Sequence, residues 1–119
     1  VFIIIANVLT GIVAALHIYF LVLEMFLWDK PMGLRTFRNT PEKAETTKVL
    51  AANQGLYNGF LAAGLIWGLL MGGHEGFHVK IFFLTCVIIA GAYGAYSVSR
   101  RILYIQAAPA LLALVLLHF

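Results

Sequence analysis

The sequence predicts an all-α integral membrane protein, a four-helix antiparallel bundle with the N- and C-termini outside. Three observations carry that prediction. Of 119 residues, 62% are hydrophobic and 11% charged, against about 25% charged in soluble domains. The apolar residues gather in four runs, at about 1–28, 49–71, 79–98 and 102–119. A helix needs roughly 20 apolar residues to cross the hydrocarbon core. None of the runs alternates as a lipid-facing β-barrel strand must. Finally, the basic residues are unevenly placed. Lys30, Arg35, Arg38, Lys43 and Lys48 lie between the first and second runs, and Arg100 and Arg101 between the third and fourth. Lys80 alone lies between the second and third. The positive-inside rule puts the first and third loops in the cytoplasm. Residues 1–119 read as one transmembrane domain, multi-pass in the inner membrane of a bacterium, with the lipid bilayer as its partner and no nucleic-acid partner.

The first span ends at Trp28, an interfacial anchor, and Pro31 and Gly33 stop it. Residues Val1 to Ile5 carry no basic stretch of the kind that opens a signal peptide. Thr40 before Pro41 reads as an N-cap followed by the first helical position, and Glu42 and Glu45 suit the positive end of the new helix. The second helix therefore starts near residue 41, enters the bilayer near Val49, and ends at Gly72 and Gly73. In the third span, Ala90/Gly94 and Gly91/Ala95 permit close helix contact. A short turn around Ser99 to Arg101 makes spans three and four an antiparallel hairpin. Pro109 kinks the fourth and frees the carbonyl near Ile105. The one cysteine, Cys86, reads as a small buried residue.

Polar groups inside these spans mark the candidate site, because a bilayer interior tolerates them only with partners. His17 and Glu24 lie two turns apart on one face, with Thr10 extending the stripe. Asn53 and Tyr57 are four residues apart, as are Gln54 and Asn58. Counted inward from Trp28 and Val49, Glu24, Asn53 and Gln54 lie about 6–8 Å deep, Tyr57 and Asn58 about 12–14 Å and His17 about 16 Å. Tyr93, Tyr96 and Gln106 fall at similar levels. These depths predict a polar pocket in the cytoplasmic leaflet with Glu24 facing Asn53 or Gln54. His17, Glu24 and Tyr57 are the candidate catalytic groups, for general acid–base work. Asn53, Gln54, Asn58, Tyr93 and Gln106 are the candidate ligand contacts. His17 is also the candidate ligand to haem iron, since a neutral imidazole binds iron through one nitrogen while the other is oriented by a neighbour. The competing reading is a polar clamp that only holds helices together.

His74-Glu75-Gly76-Phe77-His78 matches H-E-x-x-H. That zinc chemistry needs a helix presenting both histidines and a third ligand. After Gly72-Gly73, and with Gly76 inside it, the stretch reads as a solvated turn.

Leu16-His17, the run Leu23 to Trp28, and above all Asn53-Gln54-Gly55-Leu56-Tyr57-Asn58 resemble the bacterial domain-of-unknown-function family numbered thirteen-oh-four. Ser99 to Ile102 and Gln106 to Leu111 extend the likeness over essentially the whole chain. It implies a small four-helix membrane protein and brings no activity with it. A more distant likeness is to the membrane-associated eicosanoid and glutathione proteins and to styrene oxide isomerase. The first group places polar residues of helix two at a glutathione site between subunits. Its helix-two arginine corresponds to Val49 here. The second holds haem b between subunits. Both imply a homotrimer, by fold analogy. Three classes of function stay open: a trimeric membrane enzyme of isomerase or transferase type or a cofactor protein acting on a small lipophilic molecule, a small proton-coupled transporter, and a structural or accessory subunit.

Overall fold

The structure is a computed structural model and describes residues 1–97 and 103–119. The expected Ser99–Arg101 turn lies outside the described residues. The elements are α1 (Phe2–Met25), α2 (Pro31–Thr36), α3 (Pro41–Met71), α4 (Gly73–Ser97), a π-helical turn (Leu103–Ala107) and α5 (Ala108–Leu117). Among the described residues there is no strand. Two helical stretches, Phe2–Met25 and Gly73–Gly94, are long and apolar enough to cross a membrane. The 31 residues of α3 make it longer than either, and the polar run Asn53–Asn58 lies in its middle.

Two boundaries correct the sequence reading. The chain leaves α1 at Met25, where the N–H groups of Phe26 and Leu27 both reach the Val22 carbonyl. Pro31 does not merely stop a helix. It opens α2, because its fixed φ and missing N–H suit a first helical position. Gly33 is buried there, and a Cβ on it would run into the Leu27 carbonyl oxygen. At the other boundary, α4 begins at Gly73, six residues before the expected start at Val79. Gly72 and Gly73, with φ of 64° and 60°, reverse the chain by themselves. This left-handed conformation is costly for residues with a Cβ.

Thr40 caps α3 as its sequence predicts: the Lys43 N–H donates to Thr40 Oγ1 at 3.2 Å.

The chain divides into two compact units, Val1–Leu16 with Leu61–Phe119, and His17–Phe60. In the first, Ala6, Val13, Ala14, Leu65, Leu84, Val87, Ala110, Ala113 and Leu117 form the core. Small residues bring its helices close. A Cβ on Gly91 would sit 2.8 Å from the Ala107 Cβ, so one of the predicted small-residue positions is used inside the unit. Pro109 lies in the first turn of α5, and the strain of a proline inside a continuous helix is taken up by the wider π turn before it. Phe2 stacks near Phe119, and Phe77 near His118. Both termini therefore lie at the end of this unit where α4 begins, and α5 runs antiparallel to α4.

In the second unit, α1 and α3 pack antiparallel. A Cβ on Gly55 would come 2.7 Å from Met25 Cγ, and one on Gly59 would come 2.7 Å from Leu21 Cδ1. Trp28 closes one end. Its indole donates to Thr47 Oγ1 at 3.1 Å, and its ring centroid lies 5.0 Å from that of Phe37. Beside it Lys48 pairs with Asp29 at 3.0 Å.

Candidate functional site

The second unit holds the polar group of most interest. Asn58 Nδ2, on α3, donates to Glu24 Oε1, on α1, at 2.5 Å. Both side chains are buried, as is His17, which is fully enclosed. His17 and Glu24 share a face of α1 because seven residues make two helical turns. The His17 ring meets Phe20 edge-on, with centroids 5.9 Å apart. Gly55 lets α3 approach α1 here, since a Cβ on it would also lie 3.1 Å from Glu24 Cβ.

The partner of Glu24 is therefore Asn58, and not Asn53 or Gln54 as the depth count expects. That count treated Trp28 as the continuation of α1. The helix ends at Met25 and the chain turns through 26–30, so Trp28 reaches out to Thr47 rather than marking the next helical level. Measured from Thr47, the partner of Trp28, Asn58 lies about 16 Å along α3.

The other candidates are placed differently. Asn53, Gln54 and Tyr57 are exposed on the chain, with the Tyr57 ring near Phe60. Tyr93 and Tyr96 are exposed on α4, and Gln106 is half-buried on the π turn; these three belong to the first unit. Glu24, Asn58 and His17 are thus the predicted site residues that are buried in the second unit.

Haem is tested by the surroundings of His17. Its relative exposure is 0%. An imidazole enclosed on every side presents no face to a porphyrin, so His17 as it stands does not fit a haem ligand. Among the described residues, no three of His, Cys, Asp and Glu gather as a metal site.

The segment His74–His78 corrects a second expectation. It is not a turn; it forms the first turns of α4. The rings of His74 and His78 lie 4.4 Å apart, and both residues are exposed. Gly76 does not break the helix. It packs under α3, where a Cβ would lie 2.6 Å from the Gly68 carbonyl oxygen.

Sequence reasoning missed one polar pair. Lys80 does not lie in a loop: it is on α4, buried, and its Nζ donates to Asn7 Oδ1 on α1 at 2.7 Å. Its stem lies over Gly68. Asn7 stands about two turns in from the start of α1, and Lys80 about two turns in from the observed start of α4 at Gly73. With that start expected at Val79, Lys80 had no such depth in the sequence, and nothing there signalled the pair.

The fold and the site define a small all-helical protein with helices apolar enough for a bilayer and an acid–amide pair buried between two of them. The chain belongs to the family described as protein of unknown function, DUF1304, whose model matches residues 11–118. It is similar to the "Uncharacterized protein YpaA" of Lactococcus lactis subsp. lactis (strain IL1403), with 29% identity over 110 residues that cover 91% of this chain and 92% of that protein. No solved structure matches.

Proposed function

We propose that this is a multi-pass protein of the bacterial inner membrane, with four spans and both termini outside, that binds a small lipophilic molecule at a polar site built on Glu24, Asn58 and His17. The observation that supports this most is the Asn58–Glu24 hydrogen bond. An acidic side chain in an apolar span is costly to place and marks a functional position by default. A clamp needs one donor and one acceptor. Here a buried imidazole shares the acid's helix face, and a local parting of the helices around it would bring both to a small ligand, as the acid and base that isomerase or transferase chemistry uses. Trp28 and the basic first loop support the cytoplasmic leaflet for this end.

Asn53, Gln54 and Tyr57 enter the same reading through oligomerisation. Polar groups on the outer face of a lipid-embedded helix need cover, and a homotrimer in which α3 meets a second copy supplies it. In that assembly they contact ligand at the subunit boundary, with Tyr57 as a proton donor.

The test is native mass spectrometry of the full chain in nanodiscs, with organic extraction of bound molecules. The expected result is a trimer carrying a non-lipid apolar molecule, which is lost in Asn58→Leu and Glu24→Ala chains that keep their helicity. A wild-type protein that carries nothing beyond bulk lipid, with both substitutions only lowering stability, would reduce the pair to a clamp. The purified protein is expected to be colourless.

A further inference from the structure

We propose that His74 and His78 form a binding site for a divalent transition metal, Cu2+ most tightly, on the exposed first turns of α4. The two residues are one helical turn apart, so their side chains rise from the same face. Their ring centroids are 4.4 Å apart with the planes at 65°, close enough for two imidazole nitrogens to share one ion.

The tautomer of a neutral His78 ring follows from its hydrogen bond. Its Nδ1 lies 3.0 Å from the His74 carbonyl oxygen. A carbonyl only accepts, so Nδ1 carries the hydrogen and Nε2 keeps its lone pair for a metal. An N–H···O=C bond on the second ring nitrogen is the usual way a ligating histidine is oriented. Phe77 adds a second restraint, with its ring edge-on to His78 at 5.6 Å. The ligand is thus held before the ion arrives. Both histidines are exposed, unlike the enclosed His17, so an ion reaches them without any movement of helices.

Two imidazoles and open positions for water suit borderline ions. The divalent series puts Cu2+ above Ni2+ and Zn2+ at such a site. Glu75 stands about 100° around the helix from His74, and His118 packs on Phe77 rather than on the pair. The site is therefore a two-residue clasp. It has no part in the Glu24–Asn58 site and stands or falls separately from it.

The experiment is equilibrium dialysis of the untagged full chain in detergent micelles against Cu2+, and separately Zn2+, with electron paramagnetic resonance of the Cu2+ form. One Cu2+ per chain is expected, with nitrogen hyperfine structure and weaker Zn2+ binding. Loss of an outer-shell partner alone costs about 10–100-fold in metal affinity, so His74→Ala and His78→Ala should each weaken Cu2+ binding by at least about tenfold, while His118→Ala leaves it unchanged. Far-UV circular dichroism checks that α4 persists, as expected for alanine at exposed helical positions. The proposal is overturned if the wild type shows no saturable binding, if the double variant binds as well as the wild type, or if only one of the two histidines matters.

Discussion

Asn58 and Glu24 join α3 to α1 through one buried hydrogen bond 2.5 Å long. Interhelical bonds in membranes average about 0.6 kcal/mol and reach about 1.7, whereas leaving a buried polar group without its partner costs about 1–3 kcal/mol. Glu24→Gln keeps an acceptor for Asn58 and is expected to be mild. Glu24→Leu strands the amide and is expected to cost more. A double-mutant cycle with Asn58→Leu, read by unfolding in mixed micelles, should give a coupling of about 1 kcal/mol. A coupling of zero would mean that the two side chains do not depend on each other.

Gly55 sets how closely those helices approach. A Cβ there would lie 2.7 Å from Met25 Cγ, 3.1 Å from Glu24 Cβ and 3.3 Å from the Leu21 carbonyl oxygen. Alanine should be tolerated with a small shift of Met25. Valine should cost about 1–3 kcal/mol through overpacking and separate Glu24 from Asn58. Equal melting temperatures for the alanine and valine chains would contradict the close packing.

The Asp29–Lys48 pair gives a pH dependence of known sign. The Lys48 ammonium, by hydrogen bond and then by charge, holds the Asp29 carboxyl below its ordinary 3.8, and Asp29 in turn raises Lys48 above its ordinary 10.5. The contribution of Asp29 is therefore fully present above its ordinary value and is lost as pH falls through the depressed one. That of Lys48 is present below 10.5 and is lost as pH rises through the raised one. Asp29→Asn should flatten both flanks of a stability–pH curve. Because Lys48 is exposed and Asp29 only half-buried, salt should flatten them too.

The entry to α3 offers a contrast of sign. Removing the cap with Thr40→Ala should cost about 0.5–2 kcal/mol. Two residues earlier, Arg38 has φ of 52°, a conformation that costs a residue with a Cβ roughly 1–2 kcal/mol. Arg38→Gly should therefore stabilise the chain. Thermal melts of the two variants should move in opposite directions.

Lys80→Met keeps the stem over Gly68 but leaves Asn7 without its donor, at a cost of about 1–3 kcal/mol. Adding Asn7→Leu should recover most of that loss, since replacing both partners of a buried polar pair is often nearly neutral. A double variant as unstable as the single one would point to a role for the charge itself.

Local chemistry was the legible part of the sequence. Thr40-Pro41 announced the start of α3, because a cap acts within three residues. The apolar runs announced helices for a similar reason. The failures came from chain geometry between residues. Pro31 reads equally as a stop and as a start, and only the position of Gly33 under Leu27 decides. Gly76 resembles a breaker until Gly68 is seen to need the space beside it. Asn58 was among the candidates, yet its pairing with Glu24 depends on where α1 ends, and nothing local to either residue encodes that. The exposure of Asn53, Gln54 and Tyr57 is set by the rotation of α3, which periodicity could not fix in a helix carrying polar groups across about 140° of its circumference.

The inward turn of Lys80 also bears on how the chain enters the membrane. Basic side chains steer insertion when they stay at the headgroups on one side. With its ammonium on Asn7, Lys80 is withdrawn from that contest. In the proposed four-span arrangement, every remaining lysine and arginine would then belong to the two loops that share a side. The lone dissenting charge becomes part of the cargo that is carried across.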